Sequence, residues 1–324
     1  MTDIRIYGLI YSYQHDTDSS YRKLRHHSRQ SVDYLCKRLK ADHGNELLSD
    51  IKARHLLRWH EEWTGAEGKK LTMAHALIGM IRTLVNFGAT ILECEQSERL
   101  ASVMHRMRFA MAKPRNERIT AEQAVAIIAK AHEHGRPSIA LAQALQFECI
   151  LRQKDVIGEV VPLSERGMSD VLMIGKKWLR GLRWEEIDEN LILTHVTSKR
   201  QKEIVVDLKL APLVMREFAR MVALPKTGPI IVSETTRKPW TACEFRRHWR
   251  KYANEAGIPK ACRNMDSRAG AISEATDAGA NIEHVRQAAT HSNISTTQNY
   301  SRNAVEKTLK VQQARAAHRL AKGA

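Results

Sequence analysis

Tyr300 follows His291 by nine residues, and both come after two widely spaced arginines, Arg152 and Arg268. A phenol is a weak nucleophile near neutral pH because its ordinary pKa is about 10. It can attack phosphorus only where cations stabilise the charge that builds on the phosphate. Arginine suits that task, since the guanidinium stays charged and its planar fork matches two non-bridging oxygens of a phosphodiester. Histidine and lysine can carry the accompanying proton transfers. Lys199 stands between the arginines in a segment that reads as a β-hairpin. Arg152, Lys199, Arg268, His291 and Tyr300 together form a set able to break a phosphodiester with a tyrosine and no metal.

Composition favours a polyanionic target. Lys and Arg number 52 against 36 Asp and Glu, a formal charge of +16 over 324 residues. Such an excess points to nucleic acid or an anionic membrane. No apolar run reaches the roughly 18 residues of a membrane span and no basic amphipathic anchor stands out, which leaves DNA or RNA. Five cysteines (Cys36, Cys94, Cys149, Cys243 and Cys262) contain no closely spaced pair, so neither a disulfide framework nor a zinc finger is indicated. The first residues lack the charged start, apolar core and small-residue cleavage site of an export signal. The location expected from these features is a reducing cytoplasm, in association with the nucleoid.

The length allows about two domains. Helical periodicity dominates the first third. Val32, Leu35, Cys36 and Leu39 share one face, a second helix is predicted from about Lys52 to Trp63, and a third runs through "LTMAHALIGMIRTLVNFGATIL". A small bundle of four or five helices is expected. Its basic rims would carry Arg22, Lys23, Arg25 and Arg29 in one cluster and Lys69 and Lys70 in another, with Arg82 on the third helix. "MAKPRNERIT" is a charged, proline-bearing break, and Thr120 with Gln123 reads as a capping box opening a new helix. Strand signals are short and β-branched: "LILTHV", "EIVVDL" and "PIIVS". The segments 241–257 and 267–279 read as helical, and "FRRHWRKY" places Arg246 and Arg247 on the first of them. The fold class expected is mainly α with a small antiparallel β-sheet.

The order of the chemical groups resembles the tyrosine recombinases, the phage integrase family. "ILRQKDV" resembles that family's first arginine box, with Arg152 in the catalytic place and Asp155 in that of its acidic support. "LRWEEID" resembles the family's next strand entry, and "TSKRQKEIVVDL" resembles its lysine-bearing hairpin, with Lys199 ahead of Lys202 as the lysine. "MDSRAGAISEATDAGANIEHVRQAATHSNISTTQNY" is similar to the second arginine box running to the nucleophile, in the pattern Gly-His-(Ser)-x-x-x-Thr-Thr-x-x-Tyr. The resemblance implies a helical core-type DNA-binding domain over 1–112, a linker over 113–120 and a catalytic domain over 121–324, with a basic tail from about 301. It implies a site-specific recombinase that integrates or excises a mobile element through a 3′-phosphotyrosine bond, without cofactor or metal. The implied partners are double-stranded DNA attachment sites, three further copies of the chain in a tetramer on DNA, and accessory bending or directionality factors. The tail is expected to pack on a neighbouring protomer or to form a solvated basic helix.

Two departures from the family pattern stand out. Met265 occupies the place of the usual histidine three residues before Arg268, and a thioether cannot shuttle a proton. Either the remaining groups suffice, or a neighbour such as Arg263 or Asn264 helps to hold the phosphate, or the activity is weakened. About twenty extra residues, roughly 157–179, separate Arg152 from Trp184. Within them "VPLSERGMSD" reads as a loop and "VLMIGKKWL" as an apolar strand elaborating the sheet. The alternatives kept open are a type IB topoisomerase-like nicking and resealing enzyme and a DNA-binding protein with weakened catalysis.

Overall fold

The computed structural model describes residues 4–298, 312–313 and 315–319. Two compact units divide it: residues 1–115 together with 164–166, and residues 116–163 together with 167–324.

The first unit is helical. Its elements are α1 (Ile6–His15), α2 (His26–His43), α3 (Ala53–Thr64), α4 (Leu71–Thr90) and α5 (Glu95–Arg106). The expected bundle therefore has five helices among the described residues, and α1 is one that periodicity did not single out. Helix α4 buries nine of its residues, from Ala74 to Gly88, because it is apolar on most sides and packs against α1, α2, α3 and α5. Gly88 permits the closest approach, since a Cβ there would lie 2.3 Å from Ser97 Oγ. Leu9, Leu39, Leu56 and Trp59 complete the core.

The second unit is built around α7 (Pro137–Glu148), where every residue from Ile139 to Phe147 is buried. A helix surrounded on all sides needs partners for its polar side chains; Gln143 has them at both ends of its amide, whereas Gln146 has one for its nitrogen while its buried Oε1 has none. Gln143 Oε1 accepts the Trp249 Nε1–H at 2.8 Å, and its amide donates to Ser267 Oγ at 3.1 Å. Gln146 donates to the Asn264 carbonyl at 2.9 Å. These bonds seat α10 (Ala242–Glu255) and α11 (Asp266–Asp277) on α7. The other helices are α6 (Ala121–Glu133), α8 (Gln153–Ile157), α9 (Pro212–Phe218), α12 (Ile282–Ala288) and α13 (Ile294–Gln298). Thr120 caps α6 through the capping box its sequence predicts, with Gln123 donating its N–H to Thr120 Oγ1 and accepting the Thr120 N–H.

Strands are few and all antiparallel among the described residues. β1 (Glu159–Pro162), β2 (Leu172–Met173) and β3 (Lys176–Leu179) form one sheet in the order β1-β3-β2. β4 (Ile192–Val196) and β5 (Glu203–Asp207) form a separate hairpin with His195 opposite Ile204. The extra segment after Arg152 thus builds its own sheet and does not extend the hairpin. Its supposed loop begins in β1, and its supposed single strand folds back at Gly175, whose φ of +66° favours glycine. "PIIVS" forms no strand. Pro229 and Val232 make only isolated bridges, to Arg183 and Pro239, consistent with a proline lacking the N–H that a ladder needs. No helix among the described residues is long and apolar enough to cross a membrane.

Candidate active site

Arg152 stands at the mouth of α8, in extended backbone just before the first helical residue. The preceding helix, α7, ends in a Schellman turn: the Leu151 N–H reaches the Gln146 carbonyl and the Ile150 N–H reaches the Phe147 carbonyl, each at 3.2 Å. Such a turn requires a left-handed residue, and Ile150 supplies it with φ of +54°. For a β-branched residue that conformation costs about 1–2 kcal/mol relative to ordinary backbone.

A second turn of the same kind ends α12. His291 donates its N–H to the Arg286 carbonyl at 3.0 Å and Thr290 donates to the Gln287 carbonyl at 2.8 Å. Its left-handed residue is Thr290, with φ of +48°. Thr290 stands where the family pattern has the glycine before its histidine.

The two arginines tie these turns together. Arg268, on α11 and 8% exposed, donates to the Ile150 carbonyl at 2.6 Å and to the Ala289 carbonyl. Arg152 donates from one guanidinium nitrogen to Thr290 Oγ1 at 3.2 Å. The same nitrogen lies 3.8 Å from the fully buried Asp155 carboxylate. Asp155 also accepts the Ser198 N–H at 2.7 Å, which fixes the turn between β4 and β5 beside the arginine. Lys199 is the next residue and is exposed on that turn.

His291 completes the cluster. It is 7% exposed, and its Nδ1 shares a hydrogen bond with the buried Thr297 hydroxyl at 2.9 Å. Burial pushes its pKa down to about 4, and the positive charges of Arg268, Arg152, Arg200 and Arg286 push in the same direction. The imidazole is therefore neutral at pH 7.

Of the five residues singled out for chemistry, the structure brings Arg152, Arg268 and His291 into one braced cluster and sets Lys199 on the hairpin turn that Asp155 anchors. Tyr300 lies outside the described residues, as does the tail from 301 onward apart from the positions 312–313 and 315–319. Met265 is 60% exposed at the start of α11. Of its neighbours, Arg263 is exposed and Asn264 is buried. Sequence reasoning missed Thr290, Thr297 and the Ile150 carbonyl. The second threonine of the Thr-Thr pair was the available signal for Thr297, whereas a main-chain carbonyl leaves no mark in a sequence.

The basic residues singled out for DNA are placed less uniformly. Arg22, Lys23, Lys69, Lys70, Arg246 and Arg247 are exposed. Lys69 pairs with Glu67 at 2.6 Å, Arg22 donates to the His15 carbonyl and Arg246 to the Ala242 carbonyl. Arg25 is half-buried, and Arg29 donates to Glu165 at 2.6 Å. Arg82 lies over the Phe109 ring and donates to the Met107 carbonyl at 3.2 Å, which braces the end of α5. No group of side chains among the described residues could hold a metal ion.

Residues 177–307 match the model of the phage integrase family. This segment belongs to the phage integrase family. The match includes Lys199, Arg268, His291 and Tyr300 and begins after Arg152. Solved integrases share the fold over nearly the whole chain. A lambda integrase dimer bound to a COC′ core site is 14% identical with a TM-score of 0.72, over 93% of this chain and 97% of that one. A lambda integrase tetramer bound to a Holliday junction is 12% identical with a TM-score of 0.67, over 90% and 78%. The Tn1549 transposon integrase in complex with transposon right end DNA is 16% identical with a TM-score of 0.62, over 97% and 100%. No curated protein matches the sequence. At these identities the integrase structures establish the fold, a helical unit followed by a mainly helical catalytic-type unit with small antiparallel sheets.

Proposed function

We propose that this chain is a site-specific DNA recombinase, an integrase that inserts or excises a mobile element. The observation that carries the reading is the cross-bracing of Arg152 and Arg268 over two helix-ending turns, with a neutral His291 beside them. Two fixed guanidinium groups near a proton acceptor suit a pentacoordinate phosphate, because positioned cations stabilise the charge that develops in the transition state.

In this mechanism the Tyr300 hydroxyl attacks the scissile phosphorus. The new bond joins the phenolic oxygen to the 3′-phosphate, the bond to the 5′-oxygen breaks, and Lys199 delivers a proton to that leaving oxygen. Arg152 and Arg268 bind the non-bridging oxygens, and His291 supports the transfer of the phenolic proton. The energy of the broken bond is kept in the phosphotyrosine link, so a free 5′-hydroxyl can reverse the step on either duplex. Residues 1–112 would serve as the core-type DNA-binding domain and 113–120 as the linker to the catalytic domain. Exposed Arg22, Lys23, Lys69 and Lys70 would meet phosphates on the duplex. The lambda tetramer on a Holliday junction supports a reading in which four copies of this chain act on two duplexes.

The exposed Met265 favours one second reading, a site-specific DNA-binding protein whose cleavage is slowed by the missing proton carrier. Joining of two marked duplexes tests the recombinase. Recombinant product with strands from both duplexes is expected, and supercoil relaxation without such product would assign the chain to nicking and resealing instead.

A further inference from the structure

The turn that ends α12 has a feature that helix termination alone does not require. A Schellman turn asks for a left-handed residue, and glycine meets that demand without a Cβ. Here the position holds Thr290, β-branched and 2% exposed, at φ of +48°. Its hydroxyl accepts a hydrogen bond from Arg152 at 3.2 Å, across 138 residues of sequence. The contacts that Arg268 and Arg286 make with the turn go to the Ala289 and His291 main-chain carbonyls and need no side chain of the turn. The Thr290 side chain therefore bears on Arg152 and not on Arg268 or Arg286.

We propose that Thr290 is a positioning residue whose hydroxyl holds the Arg152 guanidinium in the orientation from which it grips the scissile phosphate. Asp155 faces the same guanidinium nitrogen from 3.8 Å, too long for a hydrogen bond, so the threonine supplies the close contact. A planar fork has to be oriented as well as charged, because its two parallel donors meet two phosphate oxygens only in one plane. The inference rests on the reading of Arg152 as a phosphate ligand.

The test compares the unmodified chain with Thr290→Ser and Thr290→Gly. Each is given duplexes recovered from a randomised pool by binding to the unmodified chain, nicked at successive positions so that cleavage is trapped. Single-turnover adduct formation, duplex affinity and the melting temperature are measured together. Thr290→Gly removes the hydroxyl and relaxes the turn, so it is expected to fold, to bind duplex as tightly, and to cleave about tenfold more slowly or worse, the size of effect a hydrogen bond to a charged group can have. Thr290→Ser keeps the hydroxyl and is expected to cleave within about threefold of the unmodified rate. Cleavage by Thr290→Gly at the unmodified rate would overturn the inference, as would equal slowing of both variants. Failure of the unmodified chain to form any adduct would instead remove the reading of Arg152 on which the inference stands.

Discussion

Asp155 accepts the Ser198 main-chain N–H at 2.7 Å while its other carboxylate oxygen lies 3.8 Å from the Arg152 guanidinium. One buried carboxylate thus sets the distance between the first arginine and the hairpin turn bearing Lys199. An acid three residues after an arginine, at the start of a short helix, can face it and still reach the turn of a hairpin some forty residues on. Asp155→Asn keeps the shape but removes the charge and turns one acceptor into a donor facing an N–H or a cation. A loss of about 2–3 kcal/mol of stability is expected, in the range for hydrogen bonds to charged groups. Urea denaturation measures it, and a loss below about 0.5 kcal/mol would mean the link is not energetically significant.

The titration of His291 has a definite sign. Its native pKa is pushed down to about 4 from an ordinary 6.5. Below pH 6.5 the unfolded imidazole takes up a proton that the native one refuses, so stability falls with pH through that window and levels off below about 4. His291→Gln should flatten this part of the stability curve. A phosphate bound between Arg152 and Arg268 would offset their charge, so the pKa should rise on adding duplex. A His291 imidazole resonance, assigned by its loss in His291→Gln, that titrates near 6.5 in the free protein would contradict the desolvated site.

Thiol reactivity should separate the cysteines by burial. Burial pushes the Cys36 and Cys149 thiols up to about 12, whereas Cys243 is exposed. The thiolate is the reactive form, so iodoacetamide at about pH 8 should modify Cys243 in the native protein and leave Cys36 and Cys149 until unfolding. Mass spectrometry of the alkylated peptides checks this, and early modification of Cys149 would contradict the packed core around α7.

The helical bundle, the capping box at Thr120 and the β4–β5 hairpin were legible because each is a local signal, a period or a cap that neighbouring residues decide. Arg152, Arg268 and His291, which the structure brings together, could be singled out for a different reason, through the order of the arginines and the nine-residue interval from His291 to Tyr300. Less could be read of the extra segment after Arg152. A short apolar run can be one strand or two, and only Gly175 at the left-handed turn between β2 and β3 decides it. "PIIVS" misled because β-branched residues favour a strand only where a partner strand is available. Neither left-handed cap was visible, since Ile150 and Thr290 are residues that helix endings ordinarily avoid and tertiary bonds to Arg268 and Arg152 override that preference.

The proposed mechanism requires that Tyr300 make a covalent bond to DNA. It is tested by incubating the full chain with nicked duplexes selected by its own binding, without added metal, and resolving the products under denaturing conditions beside Tyr300→Phe. A protein–DNA adduct that protease digests to a phosphotyrosyl peptide, and that the phenylalanine variant cannot form, is the expected result. Tight binding by both proteins with no adduct from either would contradict the recombinase and leave a DNA-binding protein.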